Sequence, residues 1–149
     1  IRPGMWGPKG RVLAEDIVPE TRARLVQRVQ RDNLDNVAIR LGKPDDPMLP
    51  PRSFDRIFLV HMYHEVESPY AFLWHLREGL KEGGEVIVVD ADRPANRHGL
   101  PPTLLACEFG ALGLELDRVH QLSGGESYFA AFKAARPRPD PSDIEACKG

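Results

Sequence analysis

Five consecutive residues, His61-Met62-Tyr63-His64-Glu65, bring together three side-chain types that can do chemistry. A histidine takes or gives a proton near neutral pH, a neighbouring glutamate can orient it, and a tyrosine can hydrogen-bond to a substrate or stack on it. His64, Glu65 and Tyr63 are therefore the candidate catalytic residues, with a structural role at the start of the following helix as the alternative. The second histidine of a His-Glu-x-x-His zinc motif would fall at residue 68, which is Ser68. Cys107 and Cys147 are too few for a disulfide framework or a metal quartet, and their spacing reads as two unrelated thiols. No metal is expected. Asp16 stands where the apolar segment from Arg11 to Ala14 ends; an acid at the end of such a strand accepts hydrogen bonds from ribose hydroxyls in doubly wound nucleotide-binding folds. Its alternative is a surface or capping role.

These residues need elements to position them, and strand-like and helix-like segments alternate along the chain. Arg11 to Asp16 predicts a strand, and Pro19 opens a helix to about Asp32. Leu25, Val26 and Val29 give that helix an apolar stripe, which leaves its arginines as a solvated face. Val37 to Arg40 predicts the next strand. Phe54 to Val60 and Glu85 to Val89 are apolar enough to be buried on both faces of a parallel sheet. Pro69 to Leu80 supplies the helix between them, with Gly83-Gly84 ending it and turning the chain. A helix from Pro102 or Thr103 to about Leu112 closes at Gly113. Leu114 to Leu122 and Tyr128 to Lys133 flank a glycine-containing connection and predict an antiparallel hairpin. Three prolines between Arg136 and Asp143 cannot continue a sheet, so residues 136–149 read as a Pro-rich tail. The expected fold is α/β, a doubly wound Rossmann-like sheet that is mostly parallel with a C-terminal antiparallel hairpin.

The segment Phe54 to Glu65, followed by Leu80-Lys81-Glu82-Gly83-Gly84-Glu85-Val86-Ile87-Val88-Val89-Asp90, resembles the second half of a class I S-adenosylmethionine-dependent methyltransferase. Val12 to Glu20 is similar to that family's ribose-binding segment. The resemblance runs over residues 1–135 and implies S-adenosyl-L-methionine as cofactor. It implies that Asp16 holds the ribose and that Ile17 packs on adenine. The long loop Gly42 to Ser53 has Lys43 where the family commonly places an adenine-contacting acid, which would pass that role to Asp45 or Asp46. His61 stands where relatives carry an acid or asparagine, and by position it would contact the methionine part. His98 and Glu108 could face the acceptor, although a structural or solvated role is the plainer reading. Relatives include exported bacterial proteins, so cytoplasm and periplasm both stay open, and in the periplasm Cys107 and Cys147 could pair.

A chain of 149 residues with 42% hydrophobic and 28% charged content has enough apolar material for one core. No apolar run is long enough to cross a bilayer as a helix. A net charge of −2 gives no general attraction to nucleic acid, which favours a small-molecule or protein substrate, the small-molecule acceptor being the expectation. The family's glycine-rich cofactor turn should lie about 20 residues before the ribose acid, and counting back from Asp16 passes Ile1. Ile1 to Met5 resembles the lead into the family's first strand, whereas Trp6 to Gly10 resembles the turn before its second. The resemblance therefore implies that a strand and the glycine loop intervene between Met5 and Trp6.

Overall fold

In a computed structural model, the residues described are 10–16, 19–33 and 37–148. They form two units, residues 1–43 and 44–149. In the first, β1 (Val12–Asp16) and β2 (Val37–Leu41) pair in parallel, from Val12 opposite Val37 to Asp16 opposite Leu41. The helix α1 (Pro19–Arg31) connects them. Proline is tolerated at its start because that N–H would lack a helical partner, while Glu20 in the first turn and Arg28 and Arg31 in the last complement the helix dipole. Leu25, Val26 and Val29 are half-buried on one side; Arg22, Arg24, Arg28 and Arg31 are exposed.

The second unit holds β3 (Phe54–Val60), α2 (Pro69–Gly79), β4 (Leu80–Ala91), α3 (Pro102–Ala111), β5 (Leu114–Gln121) and β6 (Ser127–Ala134). Its sheet has the order β3-β4-β6-β5. The β3–β4 pair is parallel and the two pairs involving β6 are antiparallel, so the hairpin from β5 to β6 inserts its second strand beside β4. Both units are thus built of strands joined through helices, and the α/β class read from the sequence is what the chain adopts.

The core of the second unit lies between the sheet and α2 and α3. Leu73, Leu76, Leu105, Phe109 and Leu112 meet Val86, Val88 and Phe132, all fully buried. The rings of Phe109 and Phe132 lie 4.2 Å apart, centroid to centroid. Two expectations need correction here. First, α2 ends at Gly79, one residue short of the expected Leu80, and β4 starts at once at Leu80, opposite Phe54, rather than at Glu85 after a Gly83-Gly84 turn. Four residues, Lys81 to Gly84, then bulge against Asp55 alone before pairing resumes at Arg56 and Glu85. Gly83 takes a φ of +75°, which glycine adopts without a Cβ penalty, so the glycines shape a bulge inside the strand. Second, β4 is buried on both faces but β3 is not: Ile57 and Leu59 face the helices, while Phe58 and Val60 are 46% and 51% exposed. Among the described residues β3 has a strand neighbour on one edge only.

The segment after β6 forms no strand, yet it is strapped to the helices. Arg138 lies over the Trp74 ring, 3.5 Å from its centroid, and donates to the Trp74 carbonyl at 2.9 Å. Trp74 Nε1 in turn donates to the Pro139 carbonyl at 3.0 Å. Cys147 is disulfide-bonded to Cys107 of α3, which corrects the reading of two unrelated thiols. That reading came from a 40-residue sequence separation, which carries no information about how the strap returns the chain to α3.

Candidate functional site

The carboxyl ends of β3 and β4 carry the site. The His61 N–H donates to the Val89 carbonyl at 2.8 Å, which extends the parallel pairing one residue beyond β3. His61 then turns with φ +49°, a left-handed conformation uncommon outside glycine, and its side chain is exposed. A short 3-10 turn over Tyr63–Glu65 follows. Its first side chain points inward. Tyr63 is 2% exposed, packs edge-on against Phe109 and donates its hydroxyl to Glu108 Oε2 at 2.7 Å. Burial, reinforced by the Glu108 carboxylate, pushes the Tyr63 hydroxyl far above its ordinary pKa. Burial also raises the Glu108 carboxyl, only partly offset by the hydrogen bond from Tyr63. Both side chains sit where they brace the turn from inside, and neither faces solvent as an acceptor-side group would.

His64 is placed differently. Its Nδ1 lies 2.9 and 3.1 Å from the two carboxylate oxygens of Asp90, the next-to-last residue of β4. Asp90 is completely buried and its Oδ1 also accepts the Ala91 N–H at 2.9 Å. A carboxylate only accepts, so the pair puts the His64 proton on Nδ1 and leaves the Nε2 lone pair for other work. The side chain of His64 is 6% exposed, held by its surroundings in that orientation. The Nε2 atom is 3.7 Å from Glu65 Oε1, and the same oxygen is 3.9 Å from His98 Nδ1. His98 lies in the segment after β4, with φ +56°. Gly99 fixes that segment: a Cβ there would stand 2.6 and 2.7 Å from the carbonyl oxygens of Arg93 and Ala91. Tyr128 donates its hydroxyl to the Leu100 carbonyl at 2.7 Å, and the Leu100 N–H donates to Ala91.

The structure thus brings Tyr63, His64 and Glu65 together with Asp90, His98 and Glu108. Sequence reasoning did not single out Asp90 as the partner of His64, although an acid at the end of a buried apolar strand was its signal. The other candidates have surroundings of their own. Asp46 Oδ1 accepts the Met48 N–H at 2.7 Å, and its other oxygen is 3.9 Å from His75 Nε2. Asp45 is exposed, with its backbone carbonyl 3.1 Å from His75 Nδ1. Asp16 is the last residue of β1, at the carboxyl end of a parallel pair. Ile17 and the Met5–Trp6 junction lie outside the described residues.

Comparison with known proteins bears on the fold and the family. Residues 4–88, more than half of the chain, match a family model described as a methyltransferase domain. A SAM-dependent methyltransferase from Aquifex aeolicus superposes with a TM-score of 0.78 at 22% identity, covering 85% of this chain and 70% of that one. Mitomycin 7-O-methyltransferase MmcR gives 0.72 at 17% identity, with 87% and 43% covered. The trans-methyltransferase CalH, solved with SAH, gives 0.70 at 15% identity, with 84% and 43% covered. At these identities the likeness is one of fold. No curated protein matches the chain.

Proposed function

The chain belongs to the methyltransferase domain family, and from that premise we propose that it transfers the methyl group of S-adenosylmethionine to a small-molecule acceptor that must lose a proton. The observation that carries the proposal is the His64–Asp90 pair at the carboxyl edge of β3 and β4, where ligands of open α/β sheets bind. When bound, S-adenosylmethionine supplies an electrophilic methyl group on a positive sulfonium. The chain has to align the acceptor, exclude water and take its proton. His64 Nε2 is the base; Asp90 orients the ring and stabilises the imidazolium that forms. Tyr63 is a positioning residue that fixes the turn through Glu108, and Glu65, exposed beside Nε2, faces the acceptor side.

For the cofactor, the candidate groups are those that the family resemblance assigns. Asp16 would accept from the ribose hydroxyls, with Ile17 against adenine. His61 would donate to the methionine carboxylate. Of the two loop acids, Asp45 suits the adenine amino group better, because Asp46 is engaged in its own turn and with His75. The full cofactor site on this reading includes the strand and glycine loop that intervene between Met5 and Trp6, within a domain of residues 1–135. The disulfide supports the periplasm over the cytoplasm, since thiols are kept reduced in the latter.

Calorimetric titration with S-adenosylmethionine tests the reading. Saturable binding, followed by SAH release with a panel of hydroxyl, thiol and amine acceptors, is the expected result. Absence of binding would leave a protein that keeps the fold for binding or scaffolding alone.

A further inference from the structure

The Nε2 of His64, the carboxylate of Glu65 and the Nδ1 of His98 converge from two separate segments, and we propose that they bind a single divalent transition-metal ion of the zinc class. The three ligand atoms lie within 4.8 Å of one another. Glu65 Oε1 is 3.7 Å from one imidazole nitrogen and 3.9 Å from the other. These separations are too long for hydrogen bonds. They are close to the roughly 3.4 Å that separates neighbouring ligands around a tetrahedral zinc with ~2.1 Å bonds. Closing the difference asks little of the protein, because the side chains of Glu65 and His98 are 66% and 79% exposed and can swing.

The donor set selects the metal. Two neutral imidazoles and one carboxylate suit zinc, nickel or cobalt, whereas magnesium and calcium require oxygen ligands throughout. Three protein ligands leave the fourth tetrahedral position to water. The buried carboxylate of Asp90 on the far nitrogen of His64 is the outer partner that metal-bound histidines use: it fixes the tautomer and the orientation of the ring. Cys107 and Cys147 are joined to each other, so no thiolate of the oxidised chain competes for the ion. The binding claim rests on this geometry alone. Its consequence for catalysis rests on the base reading above: a lone pair given to a metal cannot take a proton, so zinc would inhibit methyl transfer.

The test is calorimetric titration of the oxidised full chain with zinc chloride, with circular dichroism to establish that each variant folds. One saturable site is expected, weakened at least tenfold in both His98→Asn and Glu65→Gln and unchanged in His75→Asn. Asparagine tolerates the left-handed backbone at residue 98, and Glu65 is an exposed side chain, so neither change threatens the fold. The proposal is overturned if the wild-type chain shows no saturable site below about 100 µM, an affinity well short of a built three-ligand site, or if either His98→Asn or Glu65→Gln binds zinc as the wild type does. S-adenosylmethionine binding is measured separately, so failure of the metal site and failure of the methyltransferase reading are distinguishable.

Discussion

At the scale of single residues, the division of labour in the 63–65 turn is set by burial. Tyr63 and His64 are adjacent, yet one hydroxyl is consumed by Glu108 and one imidazole is held by Asp90 with its Nε2 toward Glu65. The spacing of His61, Tyr63, His64 and Glu65 made the turn legible as chemical, but adjacency in sequence does not say which side chain turns inward. Asp90 and His98 were hidden as partners because they come 26 and 34 residues after His64, and only strand pairing brings them back. Asp90→Asn tests the pair. It keeps the shape and the acceptor for the Ala91 N–H, but its amide can hold His64 in the wrong tautomer. With the acceptor that releases SAH, kcat should fall by about 10²- to 10⁴-fold while S-adenosylmethionine affinity is retained; an unchanged kcat would remove His64 as the base. Glu108→Gln tests the brace through pH. Burial raises the Glu108 carboxyl in the folded chain above its unfolded value, so the folded state holds that proton longer. Stability therefore declines as pH rises from the ordinary carboxylate range through the raised folded value, and a glutamine has no proton to lose. Relative to wild type, the variant's urea midpoint should rise between pH 4 and pH 8, and a difference that does not move with pH would contradict the buried acid.

At the scale of elements, most of the fold was readable from periodicity and punctuation. Pro19, Pro69 and Pro102 open α1, α2 and α3, and Gly113, with φ +78°, follows the last of them. What escaped was long-range. The packing of Gly79 is one case: the loop before β3 lies against it, and a Cβ on Gly79 would stand 2.7 Å from that of Leu49. No local signal in residues 69–84 encodes a contact with residue 49. The strap of residues 136–148 was unreadable for the same reason, since its partners Trp74, Arg77 and Cys107 lie far back in the chain. Arg77 illustrates this: its Nη1 donates to the carbonyls of Leu112 and Arg136 at 2.6 and 2.8 Å, joining α2, the end of α3 and the strap. Cys147→Ser should release the end of the strap. Opening a loop of 40 residues costs about 4 kcal/mol in the chain-entropy account, and observed costs for native bridges run from ~2 to 5 kcal/mol. The variant's urea midpoint under oxidising conditions should fall by that equivalent and match reduced wild type. Equal midpoints for the variant and the oxidised wild type would show that the cysteines are not linked.

At the scale of the whole molecule, the exposed strand β3 is the feature that connects fold to function. A parallel strand with the sequence Phe54 to Val60 is apolar at Phe58 and Val60 as well as at Ile57 and Leu59, a composition suited to burial on both faces. Phe58 and Val60 are instead about half exposed, and β3 has one strand neighbour among the described residues. An apolar, unpaired edge of this kind is a liability that native sheets cover. The order of β3-β4-β6-β5 leaves that edge on the side where another parallel strand would add, and the cofactor reading needs a glycine turn that follows such a strand. One intervening segment at Met5–Trp6 would supply both a strand to pair the open edge of β3 and the glycine turn that the cofactor reading needs. Peptide mapping of the purified protein decides this. A tryptic peptide in which Trp6 follows Met5 directly would leave β3 without that strand and the cofactor without that loop. Two separate peptides, one ending beyond Met5 and one beginning before Trp6, are the expected result, and the residues between them should carry the glycine turn.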